Sequence, residues 1–175
     1  MGDFWVFGYG SLIWRPGFDF IEEQKARLHG WRRGLCVHSW VHRGTKEAPG
    51  LVLGLDRGGS CAGLARKVSG EKREPVIQYL RERELVTNVY LEKWVPIRLA
   101  NGEKTQALTY VVDQAHDQYA KPMAVEQLVE IIRKAQGKSG ENRDYVCNTV
   151  TSLKALGIRD HVLERIVKDL DTGKA

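Results

Sequence analysis

Val89-Tyr90-Leu91-Glu92-Lys93-Trp94-Val95-Pro96-Ile97-Arg98-Leu99 is the stretch that decides the fold. Val89, Leu91, Val95, Ile97 and Leu99 alternate with Tyr90, Glu92, Trp94 and Arg98, a period of two. Side chains leave a strand alternately toward its two faces, so the pattern predicts a half-buried strand over residues 89–99. Asn101-Gly102 follows, and residues 106–112 run back. Asn-Gly between two such runs predicts a tight hairpin.

Outward from this hairpin, the N-terminal half reads as further strands. Residues 4–7 are a short apolar run stopped by Gly8-Tyr9-Gly10, which predicts a strand buried on both faces. Residues 34–41, 51–55 and 61–68 are further candidates, with Gly44, Pro49-Gly50 and Gly58-Gly59 read as punctuation between them. Helices are expected over residues 71–85, 122–136, 142–156 and 160–170. In the second, Val125, Leu128, Val129 and Ile132 share one face, with Pro122 early and Gly137 just past the end. In the last, Val162, Leu163, Ile166, Val167 and Leu170 form the apolar side. No internal repeat and no low-complexity linker interrupts the chain. The expectation is one α+β domain over residues 1–175, a small mixed or antiparallel β-barrel with flanking helices.

Bulk composition narrows the class. A chain of 175 residues with 42% hydrophobic and 28% charged residues can bury a real core without disulfide staples. The net charge of +5 comes from scattered residues, and no run of five like charges offers a tail for nucleic acid. Arg32-Arg33 reads as a solvated strand end. Cys36, Cys61 and Cys147 are widely spaced and form no CxxC pair, so they read as small buried hydrophobes in a reducing compartment. The N-terminus lacks the basic and long apolar regions of a signal peptide, and no stretch approaches a membrane span. These features predict a cytoplasmic protein that binds neither membrane nor nucleic acid.

One carboxylate lies on an apolar stripe. Residues of an α-helix advance by about 100° each. Ile77, Leu80 and Glu84 are spaced three and then four, which puts Glu84 behind two aliphatic side chains. Glu82 projects to the opposite, solvent-facing side. A carboxylate against an apolar wall is desolvated, which raises its pKa and suits it to proton transfer near neutrality. The same spacing also allows Glu84 to end the stripe at a helix terminus, paired with an arginine.

The second feature is Gly8-Tyr9-Gly10-Ser11-Leu12-Ile13, directly after the first strand. Glycines there permit close approach by a ligand, and backbone N–H groups can line an anion-binding concavity. The segment is neither GxGxxG nor a phosphate loop with its lysine, and an ordinary turn satisfies it equally. His38 and His42 have helical metal-ligand spacing but fall in or beside a strand, with no acidic third ligand. Ser11 is not in GxSxG and has no assignable base. The five tryptophans read as core or sheet-face residues, and Tyr145 sits early in its helix.

Together these residues resemble the ChaC family of γ-glutamylcyclotransferases. The likeness runs through Val6-Phe7-Gly8-Tyr9-Gly10-Ser11-Leu12-Ile13-Trp14, His42-Arg43-Gly44, Pro49-Gly50, Gly59, Cys61, Gly63 and Tyr79-Leu80. It continues through Arg83-Glu84 and Ser139-Gly140-Glu141-Asn142 to Tyr145. The resemblance implies a small barrel with flanking helices, acting on glutathione without metal or other cofactor and releasing 5-oxoproline and Cys-Gly. It implies Glu84 as general base and acid, and Gly8, Tyr9, Gly10, Ser11, Leu12, Ile13 and Tyr145 as substrate-binding residues. It implies no oligomeric state. The alternatives are a cyclotransferase for other γ-glutamyl amines or peptides, and a non-catalytic glutathione-binding regulator linked to cation transport. Two departures stand out. Leu85-Val86-Thr87-Asn88-Val89-Tyr90 replaces a commonly glycine-containing segment beside Glu84. Arg66 stands where an aromatic is commoner, and it reads as a structural change.

Overall fold

Phe4–Gly8 (β1) is buried at every position in the computed structural model, which describes residues 2–173. A neighbour on each side makes it an interior strand, and its Phe4 and Val6 face is covered by Val76, Ile77 and Leu80. β1 pairs antiparallel with β3 (Gly50–Val68), Val6 opposite Arg66, and parallel with β5 (Lys104–Val112), Val6 opposite Leu108. β5 pairs antiparallel with β4 (Tyr90–Leu99), and β4 with β2 (Glu22–Ser39). The order β1-β3-β2-β4-β5 closes into a five-stranded mixed barrel. The expected hairpin is present: Arg98 faces Lys104, and Gly102 N–H donates to the Leu99 carbonyl at 2.9 Å.

Two strand expectations need correction. Residues 51–55 and 61–68 are one strand, because Gly58 and Gly59 take φ of +92° and +67° inside β3 and bend it without ending it. β2 begins at Glu22, far before residue 34. Its first half carries Glu22, Glu23, Lys25 and Arg27, and only Ala26 and Leu28 are buried there, so it shows little apolar signal.

The described residues divide into two compact units. The first holds the chain up to Arg33 together with Gly54–His116. In it, a single 3₁₀ turn (Gly70–Lys72) leads into α2 (Arg73–Glu84), and the one-turn helix α1 (Ser11–Trp14) follows β1. Val76, Ile77 and Leu80 of α2 pack with Phe4, Val6, Leu12, Val68, Leu108 and Tyr110. Each aliphatic side chain so buried contributes about 1.5–3 kcal/mol, which fixes α2 on the barrel wall. Gly63 is needed for close approach, because a Cβ there would lie 2.3 Å from the Gly8 carbonyl oxygen.

The second unit holds Gly34–Leu53 and the chain from Asp117 onward. Its helices α3 (Val125–Lys134), α4 (Asn142–Ala155) and α5 (His161–Asp171) pack on one another through Leu128, Ile132, Val150, Leu153, Leu163 and Ile166. α3 is shorter than expected. Ala124 is extended and ties its N–H to the Gln127 side chain, which leaves Pro122 outside. After Ala135 the chain enters a small ladder of β6 (Gln136–Gly137) and β7 (Gly140–Glu141). Val162 is exposed rather than part of the apolar side of α5, and Asp160 caps that helix by accepting from Leu163 N–H.

Asn142 locks this unit. It is fully buried, its Oδ1 accepts from Leu51 N–H and its Nδ2 donates to the Leu51 carbonyl, both at 2.7 Å. Asn142→Ala would leave two buried backbone groups unpaired, at about 1–3 kcal/mol each. The variant is expected to lose about 2–4 kcal/mol, read as a lower urea midpoint at unchanged slope.

Candidate active site

Glu84 is the last residue of α2, and its side chain is 16% exposed. The preceding turn of the helix places Leu80 and Ile77 beneath it, both buried. Burial pushes the carboxyl above the ordinary carboxylate range, while the adjacent Arg83 guanidinium, Nε 3.1 Å from Oε1, opposes the rise. The negative end of the helix dipole acts in the same direction as burial. Glu82 is exposed and bonds to Gln78 within the helix, so the two glutamates have the different environments that helical spacing predicts. Both readings of Glu84 hold at once: it is desolvated, and it meets an arginine at a helix end.

Arg83 also reaches the glycine loop. Its Nη2 donates to Ser11 Oγ at 2.9 Å, and its Nη1 donates to the Tyr79 hydroxyl at 3.1 Å and to the carbonyls of Arg15 and Pro16. One guanidinium therefore ties the carboxylate to the loop. Two further arginines grip the same loop. Arg33 donates to the Tyr9 carbonyl at 2.7 Å and the Ala62 carbonyl at 2.6 Å. Arg66 is 7% exposed; it donates to the Leu12 and Ile13 carbonyls and pairs with Glu23 at 2.7 Å. Gly10 and Ser11 carbonyls accept from Ile13 and Arg15 N–H, both at 2.8 Å. Every carbonyl from Tyr9 through Ile13 thus has a donor.

A third group of charges borders the same carboxylate. Tyr110 is buried, and its hydroxyl donates to Glu92 Oε2 at 3.2 Å. Arg81 clamps Glu92 with two bonds, at 2.8 and 2.9 Å. Burial holds the Tyr110 phenol far above its ordinary value, and the charges of Glu92 and Glu84 add to the effect. Tyr110 therefore stays neutral at physiological pH, next to the field of Glu84.

The ChaC-like protein family model matches residues 4–172 of this chain. The chain belongs to the ChaC-like family. A relative from Escherichia coli (strain K12), named glutathione-specific gamma-glutamylcyclotransferase, is 32% identical over 95% of this chain and 72% of its own length. The Homo sapiens glutathione-specific gamma-glutamylcyclotransferase 1 is 32% identical over 96% of this chain and 78% of its own. A crystal structure of a yeast γ-glutamyl cyclotransferase specific to glutathione superposes with a TM-score of 0.87, at 20% identity, over 98% of this chain and 97% of that one. That likeness carries the fold, a barrel with flanking helices.

In this ChaC-like chain the first unit brings Gly8, Tyr9, Gly10, Ser11, Leu12 and Ile13 together with Glu84. Tyr145 belongs to the second unit. There its hydroxyl accepts from Leu53 N–H at 3.1 Å, and the Arg43 guanidinium lies 5.6 Å over its ring. His42 and Ser139 join at 3.0 Å, and Gly50 has no room for a Cβ, which would lie 2.1 Å from the Arg43 carbonyl oxygen. The late motif of the sequence is thus largely architectural. Ser11 Oγ is engaged by Arg83, and no acid or histidine activates it among the described residues. Arg33 is not a solvated strand end; it holds the loop. Sequence reading missed Arg33 and Tyr110, which have no local signature, since each acts on a segment far away in the chain. Asn88 occupies the left-handed region at φ +56°, so the departing segment after Glu84 still contains a residue suited to that conformation.

The raised Glu84 pKa has a consequence for stability. Between the ordinary carboxylate range and the raised value, the native state keeps a proton that the unfolded chain has released. Stability then falls as pH rises through that window. Glu84→Gln removes this loss. The variant is expected to melt above the native protein at pH 8, with the difference vanishing near pH 4; a difference independent of pH would show that Glu84 is not desolvated.

Proposed function

We propose that this protein degrades glutathione by intramolecular cyclotransfer, with Glu84 as general base and acid and the loop of residues 8–13 holding the γ-glutamyl group. The carrying observation is the desolvated Glu84 carboxyl joined through Arg83 to Ser11 of that loop. The names of the relatives from Escherichia coli and Homo sapiens support glutathione as substrate over other γ-glutamyl amines and over a regulator without turnover. The family match runs through both units, which supports reading residues 1–175 as one ChaC-like domain.

In the reaction the α-amine of the glutamyl residue attacks its own γ-carbonyl carbon. A carbon–nitrogen bond forms, closing the five-membered lactam of 5-oxoproline, and the amide bond to Cys-Gly breaks. The attacking amine arrives as an ammonium and must lose a proton. Glu84 accepts it and returns it to the departing nitrogen; the second proton, shed as the attacking nitrogen becomes the lactam N–H, is taken up by the released Cys-Gly amine, so charge and protons balance over the cycle. A carboxyl raised by burial binds that proton more readily than an ordinary one. The nucleophile belongs to the substrate and the reaction is redox-neutral, so the protein's tasks are curling a flexible chain, relaying protons from the attacking to the departing nitrogen and steadying the oxyanion. Neutral Tyr110 beside Glu84 leaves proton exchange to the carboxylate. No helix of the described residues is long and apolar enough to cross a membrane, and no disulfide joins Cys36, Cys61 and Cys147. Those features support work in the cytoplasm, where glutathione is kept reduced.

Purified protein is expected to release 5-oxoproline from glutathione, undiminished by chelator, and to act much more slowly on γ-glutamyl-alanine. Glu84→Gln should fold and lose on the order of a hundredfold or more in kcat. Near-native turnover by that variant removes Glu84 from the mechanism. No 5-oxoproline from either protein overturns glutathione as the substrate. Tyr145→Phe tests substrate contact by that hydroxyl, with unchanged kcat and KM counting against it.

A further inference from the structure

The loop after β1 ends in a helix of a single turn, Ser11–Trp14. A turn this short cannot hold itself, because its first hydrogen bond fixes several dihedrals at once and its terminal carbonyls have no partner within the helix. Arg66 supplies what is missing. It projects from β3, opposite Val6 of β1, and its two terminal nitrogens take the carbonyls of Leu12 and Ile13. Its Nε is held by Glu23 on β2, so the guanidinium plane is fixed from behind. It also stacks 5.0 Å from the Phe20 ring centroid. A planar fork with donors on two edges can meet two carbonyls and a carboxylate together, and an ammonium of similar reach cannot.

We infer that Arg66 is a positioning residue for substrate: it caps the Ser11–Trp14 turn and so sets the geometry with which the loop receives the γ-glutamyl group. Arg66 does not touch the reacting atoms; it acts through Leu12 and Ile13. Arg33 performs the matching task at the other end of the loop, on the Tyr9 carbonyl. Leu12 packs with Leu80 and Ile77 under Glu84, so the turn that Arg66 holds is continuous with the wall bearing the base. An aromatic side chain at this position could not make these bonds. The role in catalysis rests on the cyclotransferase reading, whereas the effect on the turn does not.

The test uses the full-length native protein, Arg66→Lys and Arg66→Met. Hydrogen exchange in peptides covering residues 9–16 is expected to speed about tenfold or more in Arg66→Lys, with peptides from β4 and β5 unchanged. With glutathione as substrate, KM should rise about tenfold in Arg66→Lys and further in Arg66→Met, while kcat moves by less than about threefold. Lysine keeps the charge, so a near-native KM and unaltered exchange over residues 9–16 in Arg66→Lys would overturn the inference. So would a loss confined to melting temperature with KM intact. If Arg66→Met fails to fold, the lysine variant alone decides between these outcomes. Absence of 5-oxoproline from the native protein would instead reject the cyclotransferase reading and leave the exchange result to stand on the turn.

Discussion

Guanidinium groups holding backbone oxygens are the constraint on which the candidate site depends. Forming an isolated helical turn is disfavoured by a nucleation constant of about 10⁻³, roughly 4 kcal/mol. Ser11–Trp14 is such a turn. Hydrogen bonds from charged donors contribute about 1.5–3 kcal/mol each, and Arg66 alone makes two to this turn. The contributions of Arg33 at Tyr9 and of Arg83 at Ser11 add to them. The latches are therefore sufficient to offset nucleation, and the loop's shape is set by the barrel strands and α2 that carry the arginines. Burying Arg66 itself has a desolvation penalty of several kcal/mol, which explains why Glu23 sits 2.7 Å from it.

Arg83 has two jobs that oppose each other usefully. As a cation next to Glu84 it draws the carboxyl back down, while burial and the end of α2 push it up. The proton affinity of the carboxyl is therefore set by two opposing surroundings, with burial the stronger. Bonding the same guanidinium to Ser11, Arg15 and Pro16 means that a displaced loop also changes the charge beside Glu84. Loop position and the charge beside Glu84 are coupled through one side chain. Glu92, by contrast, is neutralised by Arg81 and occupied by Tyr110, which holds it below the ordinary range and leaves it unsuited to the same role.

Patterns with short period were legible in the sequence. The β4–β5 hairpin, the doubly buried β1 and the α2 stripe ending in Glu84 all follow from spacing, because each depends on residues within a few positions. The first half of β2 was not legible, since its exposed side chains are charged and its pairing with β4 is made between residues about seventy apart. Gly58-Gly59 suggested a turn because glycine pairs usually mark one; inside a barrel the same dihedrals bend a strand that hydrogen bonding keeps continuous. The arginine latches were invisible for a related reason. Arg33 and Arg66 meet carbonyls of residues 9, 12 and 13, and backbone oxygens carry no sequence label. Glu84 was found because an acidic residue on an apolar stripe is a local contradiction.

That contrast also separates chemistry from architecture within the family's own motifs. Asn142 and Glu84 are both polar, both largely buried and both within matching segments. Asn142 spends its side-chain oxygen and nitrogen on the two sides of Leu51, so its polar atoms complete a backbone and have nothing left to exchange. Gly50 is needed only because Arg43 and Asn142 leave no space for a side chain. Glu84, among the described residues, meets a guanidinium and no backbone amide. Backbone amides would stabilise its charged form outright and lower its pKa, as they do for a capping carboxylate. A single adjacent cation opposes the effect of burial without reversing it, and that balance suits the general base and acid role proposed for Glu84.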